Sequence, residues 1–198
     1  RTRLTVIPTK HGSYRVFQVK NVENVKISGG SLIGDKYTHL GNTGEWGMGV
    51  EIRDSQNISI SNMNIDKMWG DAIYVGTNGK NSTYNINLNN IRMNENRRQG
   101  LTIISVNKLT GNNIHISNTR GADPASGIDI EPNNKSNILQ GINFENIYTT
   151  NNAGTGFLVS LKSYTNSINP ISIKLTSHVD KGSNFGFVLR GNSTPNRG

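Results

Sequence analysis

Short runs of alternating apolar and polar residues recur along the chain, each introduced by a small residue. They read Gly49-Val50-Glu51-Ile52, Ala72-Ile73-Tyr74-Val75, Gly100-Leu101-Thr102-Ile103, Gly127-Ile128-Asp129-Ile130, Gly156-Phe157-Leu158-Val159 and Gly186-Phe187-Val188-Leu189. Alternation at period two predicts strands with one face in a core. The anchors step by 23, 28, 27, 29 and 30 residues. A second set of apolar pairs begins at Ile58, Ile86, Ile114, Ile142 and Ile171, and the first four starts are 28 apart. Four residues after each of those four stands Asn62, Asn90, Asn118 or Asn146. A period of this size is a solenoid signature, with two or three short strands per turn. The asparagines are expected to stack in one column, where a sharp turn needs the left-handed conformation.

The earlier part fits the same scheme. An apolar run, Leu4 to Ile7, leads to a turn at His11-Gly12, and Val16, Val19, Val22, Val25 and Ile27 make the first coil. Residues 34–48 break the pattern with many glycines and read as a loop carrying His39 and Trp46. A helical solenoid is excluded, because the apolar spacing is not i, i+3, i+4. The fold class is therefore all-β, one domain over 1–198 of about six coils, expected to be part of a longer chain. Residues 192–198 read as a tail.

Hydrophobic residues are 33% of the chain, which suits a thin repetitive core. Asparagine is abundant, at about thirty residues. The net charge of +8 favours polyanionic partners, but the basic residues are scattered, with Arg97-Arg98 as an adjacent pair. No zinc-finger or RNA-binding signature accompanies them, so no nucleic-acid partner is expected. No apolar run reaches transmembrane length, and no membrane insertion is expected. The chain has no cysteine, which excludes disulfides and a catalytic thiol. No His/Asp/Glu grouping has ligand spacing, so neither metal nor other cofactor is expected.

Asp129 and Glu131 lie on the outward side of one strand, one pleat apart, and are the leading catalytic candidates. Such a pair suits glycoside hydrolysis, because like charges push one carboxyl toward the neutral form a general acid needs. Asp71 lies two coils earlier, about 10 Å away at the spacing of stacked strands, and is a third candidate. The outward row reads Glu51, Tyr74, Thr102, Asp129, Leu158, Val188. Tyr74, Thr102, Trp69 and Trp46 are candidates for sugar contact, and Arg98 and Lys162 for holding an anionic group. Leu158 and Val188, if exposed, suit contact with another chain.

The coil length, the stacked asparagines and the segments Gly44-Glu45-Trp46-Gly47-Met48-Gly49, Trp69-Gly70-Asp71-Ala72-Ile73 and Gly127-Ile128-Asp129-Ile130-Glu131-Pro132 resemble the right-handed parallel β-helix of the pectate-lyase-like superfamily. Within it they look most like phage and prophage tailspike or appendage proteins. The resemblance implies an extracellular or virion-associated protein that binds and degrades a bacterial surface or acidic polysaccharide, as hydrolase or lyase, and a homotrimer. A non-catalytic adhesin or receptor-binding spike, or a purely structural segment, fits the same scaffold. The four polygalacturonase motifs of this fold are absent, and Glu131 stands where the alginate epimerase motif has histidine.

Overall fold

A computed structural model describes residues 2–79, 82–165 and 169–191; the expected tail at 192–198 lies outside them. Fifteen strands and no helix occupy the described residues. Eight strands form a long sheet: β1 (Arg3–Thr5), β3 (Lys26–Ser28), β4 (Ser31–Ile33), β6 (Gln56–Asp66), β8 (Tyr84–Asn94), β10 (Val106–Ser117), β12 (Leu139–Thr150) and β14 (Ile173–Lys181). Seven form a short sheet: β2 (Ser13–Lys20), β5 (Trp46–Arg53), β7 (Ile73–Gly76), β9 (Gln99–Ile103), β11 (Ser126–Ile130), β13 (Thr155–Ser160) and β15 (Phe185–Arg190). The order β2-β5-β7-β9-β11-β13-β15 places each strand on its counterpart one coil earlier. Every pairing between the strands is parallel. The chain is a parallel β-helix of about six coils.

The short sheet follows the alternation read from the sequence. Val50, Ile73, Leu101, Ile128 and Phe157 stack as one inward row. Ile52, Val75, Ile103, Ile130 and Val159 form a second, and all ten side chains are buried. The anchoring glycines leave room for the opposite wall. A Cβ on Gly49 would stand 2.6 Å from the Ile65 side chain. Trp46 is the first residue of β5, so the strand begins inside the stretch 34–48 expected as loop, and residues 46–48 belong to it.

In the long sheet the register differs from the constant 28-residue period. One inward row is Ile58, Ile86, Leu109, Ile142, Ile173; a second is Met63, Ile91, Ile114, Ile147, His178. Ile114 therefore belongs to the second row. Each long strand bends where a residue takes the left-handed conformation, and these bends recur every five residues: Asn57, Asn62 and Lys67 in one coil, Asn85, Asn90 and Glu95 in the next. The segments between bends repeat the same apolar-polar pattern. A five-residue slip consequently leaves the apparent period intact, although the coil after Asn90 is five residues shorter and the following one five longer.

The expected asparagine column is corrected accordingly. Asn62, Asn90, Asn113 and Asn146 share one bend, while Asn118 lies in the next, with Lys67, Glu95 and Asn151. Amides link the stack: Asn90 donates to Asn62 at 2.7 Å and Asn113 to Asn90 at 3.1 Å. Asn151 donates to Asn118 at 2.7 Å. The left-handed conformation suits Asn, whose short amide also bonds to its neighbour in the stack.

Candidate functional site

Parallel pairing lines up the outward residues of the short sheet in the order Gln18, Glu51, Tyr74, Thr102, Asp129, Leu158, Val188. The row expected from the sequence is thus assembled, but it is not open to solvent. Glu51, Thr102, Asp129 and Leu158 are each 2% exposed or less, and Asp71 is completely buried. Leu158 is buried and Val188 half-buried, so the exposure on which their contact with another chain depended is absent at Leu158. Side chains from adjacent coils, together with the loops between the sheets, close over positions that alternation alone assigns to the outside.

Asp129 is the last residue but one of β11, immediately above Thr102. Its Oδ2 accepts a hydrogen bond from Gln99 Nε2 at 2.8 Å, and Gln99 Oε1 accepts from the Ser126 amide at 3.0 Å. Asp129 Oδ1 is buried without a hydrogen-bond partner. Burial, and then the charge of Glu131, push the carboxyl of Asp129 up to about 7. Glu131 lies just beyond the strand end and is half-buried. One carboxyl is thus dry and holds its proton near neutrality, and its neighbour reaches water.

Asp71 is engaged differently. Arg98 Nη1 donates to both of its oxygens, at 3.3 and 3.1 Å, and Thr102 Oγ1 donates to Oδ2 at 2.9 Å. Burial raises this carboxyl to about 6, against the opposing charge of Arg98. Arg98 Nε also lies 3.0 Å from Glu45 Oε2, tying the loop before β5 to the third coil. Arg98 therefore carries two carboxylates already, which leaves less of it for an anionic ligand. Sequence reading missed Gln99 and Glu45. Gln99 carried a usable signal, since it stands directly before the Gly100 anchor as Ser126 stands before Gly127.

The aromatic candidates separate. Tyr74 is 7% exposed, packed with Met48 and Ile104, and the Arg53 guanidinium lies 4.2 Å from its ring centre. Arg53 in turn bonds to Glu51 at 2.8 Å. Trp69 is 8% exposed and held between the His39 ring at 3.8 Å and the Arg97 guanidinium at 3.9 Å, so neither face is free for a sugar. His39 bonds through Nδ1 to Asp35 at 2.7 Å, and Tyr14 donates to the same carboxylate at 2.6 Å. This cluster pins the glycine-rich loop to the first coils. Trp46 is 51% exposed and remains available. Lys162, the other candidate for holding an anionic group, is exposed and lies two residues past the end of β13. Among the described residues, no group of three or more His, Cys, Asp or Glu is placed to hold a metal ion.

No protein family and no solved structure matches the chain. Two proteins of Bacillus subtilis (strain 168) are similar to it. One is YclG, described as uncharacterized, at 26% identity over 209 positions, covering 96% of this chain and 35% of YclG. The other is YorA, described as an uncharacterized SPbeta prophage-derived protein, at 36% identity over 81 residues, covering 37% of this chain and 14% of YorA. The chain spans about a third of the length of the first relative and less of the second.

Proposed function

We propose that the chain binds a bacterial surface or acidic polysaccharide on the outer face of the short sheet and cleaves it there. Asp129 acts as the proton donor and Glu131 as its partner acid. The observation that carries this reading is the half-satisfied carboxyl of Asp129, kept dry one pleat from Glu131. An unpaired buried oxygen costs stability, and such costs collect at functional sites. The pair is two residues apart across the end of β11, and extended backbone there sets their Cα atoms about 6–7 Å apart. That leaves the carboxyls near the separations used by glycosidases. Asp71, locked by Arg98 and Thr102, serves as a fixed neighbour and not as a second acid. Placement among pectate-lyase-like proteins of phage appendages, a virion-associated or extracellular location and a homotrimer belong to the same proposal. Their support is the β-helix and the prophage origin stated for YorA.

One observation favours a second reading, non-catalytic glycan binding. Asp129 and Asp71 are both 0% exposed, so a sugar reaches them only when the surrounding side chains part. A screen of bacterial surface glycans and polyuronates for reducing ends and unsaturated uronate ends separates the two. Cleavage is expected to fall by about two orders of magnitude or more in Asp129→Asn and Glu131→Gln, each checked for folding by circular dichroism. Wild-type activity is expected to decline as pH rises through about 7, where Asp129 loses the proton it donates. Full activity in both folded variants removes the pair from the chemistry. Binding without any product from the wild type leaves the second reading.

A further inference from the structure

The outer face of the long sheet carries features that the site above does not use. Parallel pairing aligns Asn64, Arg92, His115 and Tyr148 along the helix axis. The row crosses three strand spacings, about 14 Å. A hollow of about 400 Å³ opens along Arg92, His115, Asn94 and Ser117. A second, of about 330 Å³, joins it through Asn64 and Arg92 and runs past Asn62 and Asn90.

Three properties of this face point to one ligand chemistry. Arg92 is exposed and makes no hydrogen bond or ion pair with another described residue. Its planar donor fork is therefore free for a carboxylate. Tyr148 is 38% exposed and stacks on His115 with ring centres 4.6 Å apart and planes 15° from parallel. His115 Nε2 lies 3.1 Å from Asn113 Oδ1. Burial, and then the charge of Arg92, hold the imidazole below its ordinary range, so it is a neutral ring at pH 7. Stacking covers one face of each ring, so Tyr148 offers its edge and its other face, on the side of Val179 in β14, to the apolar face of a sugar. The lining also holds the amides of Asn62, Asn64, Asn90 and Asn94 and the hydroxyl of Ser117, groups that pair with sugar hydroxyls, beside Met63, Met93 and two glycines. Asp66 also faces the first hollow. Its Oδ1 accepts the Asn94 amide at 3.1 Å, and burial raises its carboxyl above the ordinary range; as an acid in the lining it works against an anionic ligand.

We propose that this face is a second saccharide site, selective for an acidic oligosaccharide whose carboxylate pairs with Arg92 while a neighbouring sugar ring packs on Tyr148. The net charge of +8 supports the sign of the ligand. The site lies on the other sheet from Asp129, so it stands whether or not cleavage occurs there. A binding face set apart from a cleaving one holds a long chain near the helix by a second contact.

Calorimetric titration with a galacturonate hexamer, and with a neutral glucose hexamer as comparison, tests the site. The wild type is expected to bind the acidic probe more tightly, and less so as salt rises. Arg92→Gln and Tyr148→Ala are each expected to weaken binding about tenfold or more, and Arg92→Lys less. Asp66→Asn is expected to tighten it. The same titrations in an Asp129→Asn background remove cleavage, so that binding lost with Arg92 or Tyr148 is separated from the cleavage proposal. Absence of binding by the wild type, equal affinity for the neutral probe, or unchanged affinity in the folded Arg92 and Tyr148 variants overturns the proposal.

Discussion

At Asn90 one side chain does two jobs. Its backbone is left-handed, at φ 53°, and its amide both donates to Asn62 and accepts from Asn113. The residue joins three successive coils at the bend where each long strand turns. Alanine has the Cβ penalty of that conformation and no amide, whereas glycine lacks the amide alone. Asn90→Ala is expected to cost about 1–3 kcal/mol in urea unfolding at pH 7, and Asn90→Gly distinctly less. Equal losses from the two would show that the backbone conformation contributes nothing there. The same logic reads Gly111, whose added Cβ would run into the Phe144 ring stacked above it. The missing side chain is what lets that ring enter the core.

At the scale of the strand, the short sheet shows how a polar outward row becomes buried. The segments leading into β7 and β9 pair Asp71 with Arg98 near Asp129 of β11, and Arg98 is held by acids from two loops. Removing one partner of a buried ion pair costs more than the pair itself contributes, because a charge is left in a dry site. Arg98→Met is therefore expected to destabilise the fold by about 3 kcal/mol or more at pH 8. Asp71→Asn in that background is expected to recover most of the loss. The sign with pH follows from Asp71, whose folded pKa already stands near 6 and rises further without Arg98. Protonation in the folded state then stabilises, so the Arg98→Met defect is smaller at pH 5 than at pH 8. A double-mutant cycle by urea unfolding at both pH values measures this. A pH-independent defect would place the role of Arg98 in packing.

For the molecule as a whole, the last coil sets the behaviour. Phe185, Phe187 and Leu189 of β15 are 61, 52 and 62% exposed. Phe187 nonetheless continues the core column, with its ring centre 5.9 Å from that of Phe157. Among the described residues no layer covers this row, and an apolar patch beside an open strand edge favours association. Sedimentation velocity of the chain over a range of concentrations is expected to show self-association. Phe185→Lys with Leu189→Lys is expected to reduce it. A sharp monomer at every concentration would mean that the patch is not sticky.

The sequence by itself determined the architecture, the inward and outward assignment of each short strand, and the neighbours Tyr74, Thr102 and Asp129 along the row. Each short strand has one anchoring small residue and one alternating run, so a single register buries the apolar side chains. The tertiary structure decided the rest. Register in the long sheet was ambiguous because consecutive segments repeat the same pattern five residues apart, and only packing of Phe144 over Gly111 and of Ile114 between Ile91 and Ile147 resolves it. Exposure of the acids was equally beyond alternation. Period two tells which way Asp129 points, but what lies above it comes from residues such as Gln99 and Arg98, one coil distant and about 30 positions away in the chain. Burial is a property of that three-dimensional neighbourhood, and it is burial that brings the Asp129 carboxyl to about 7.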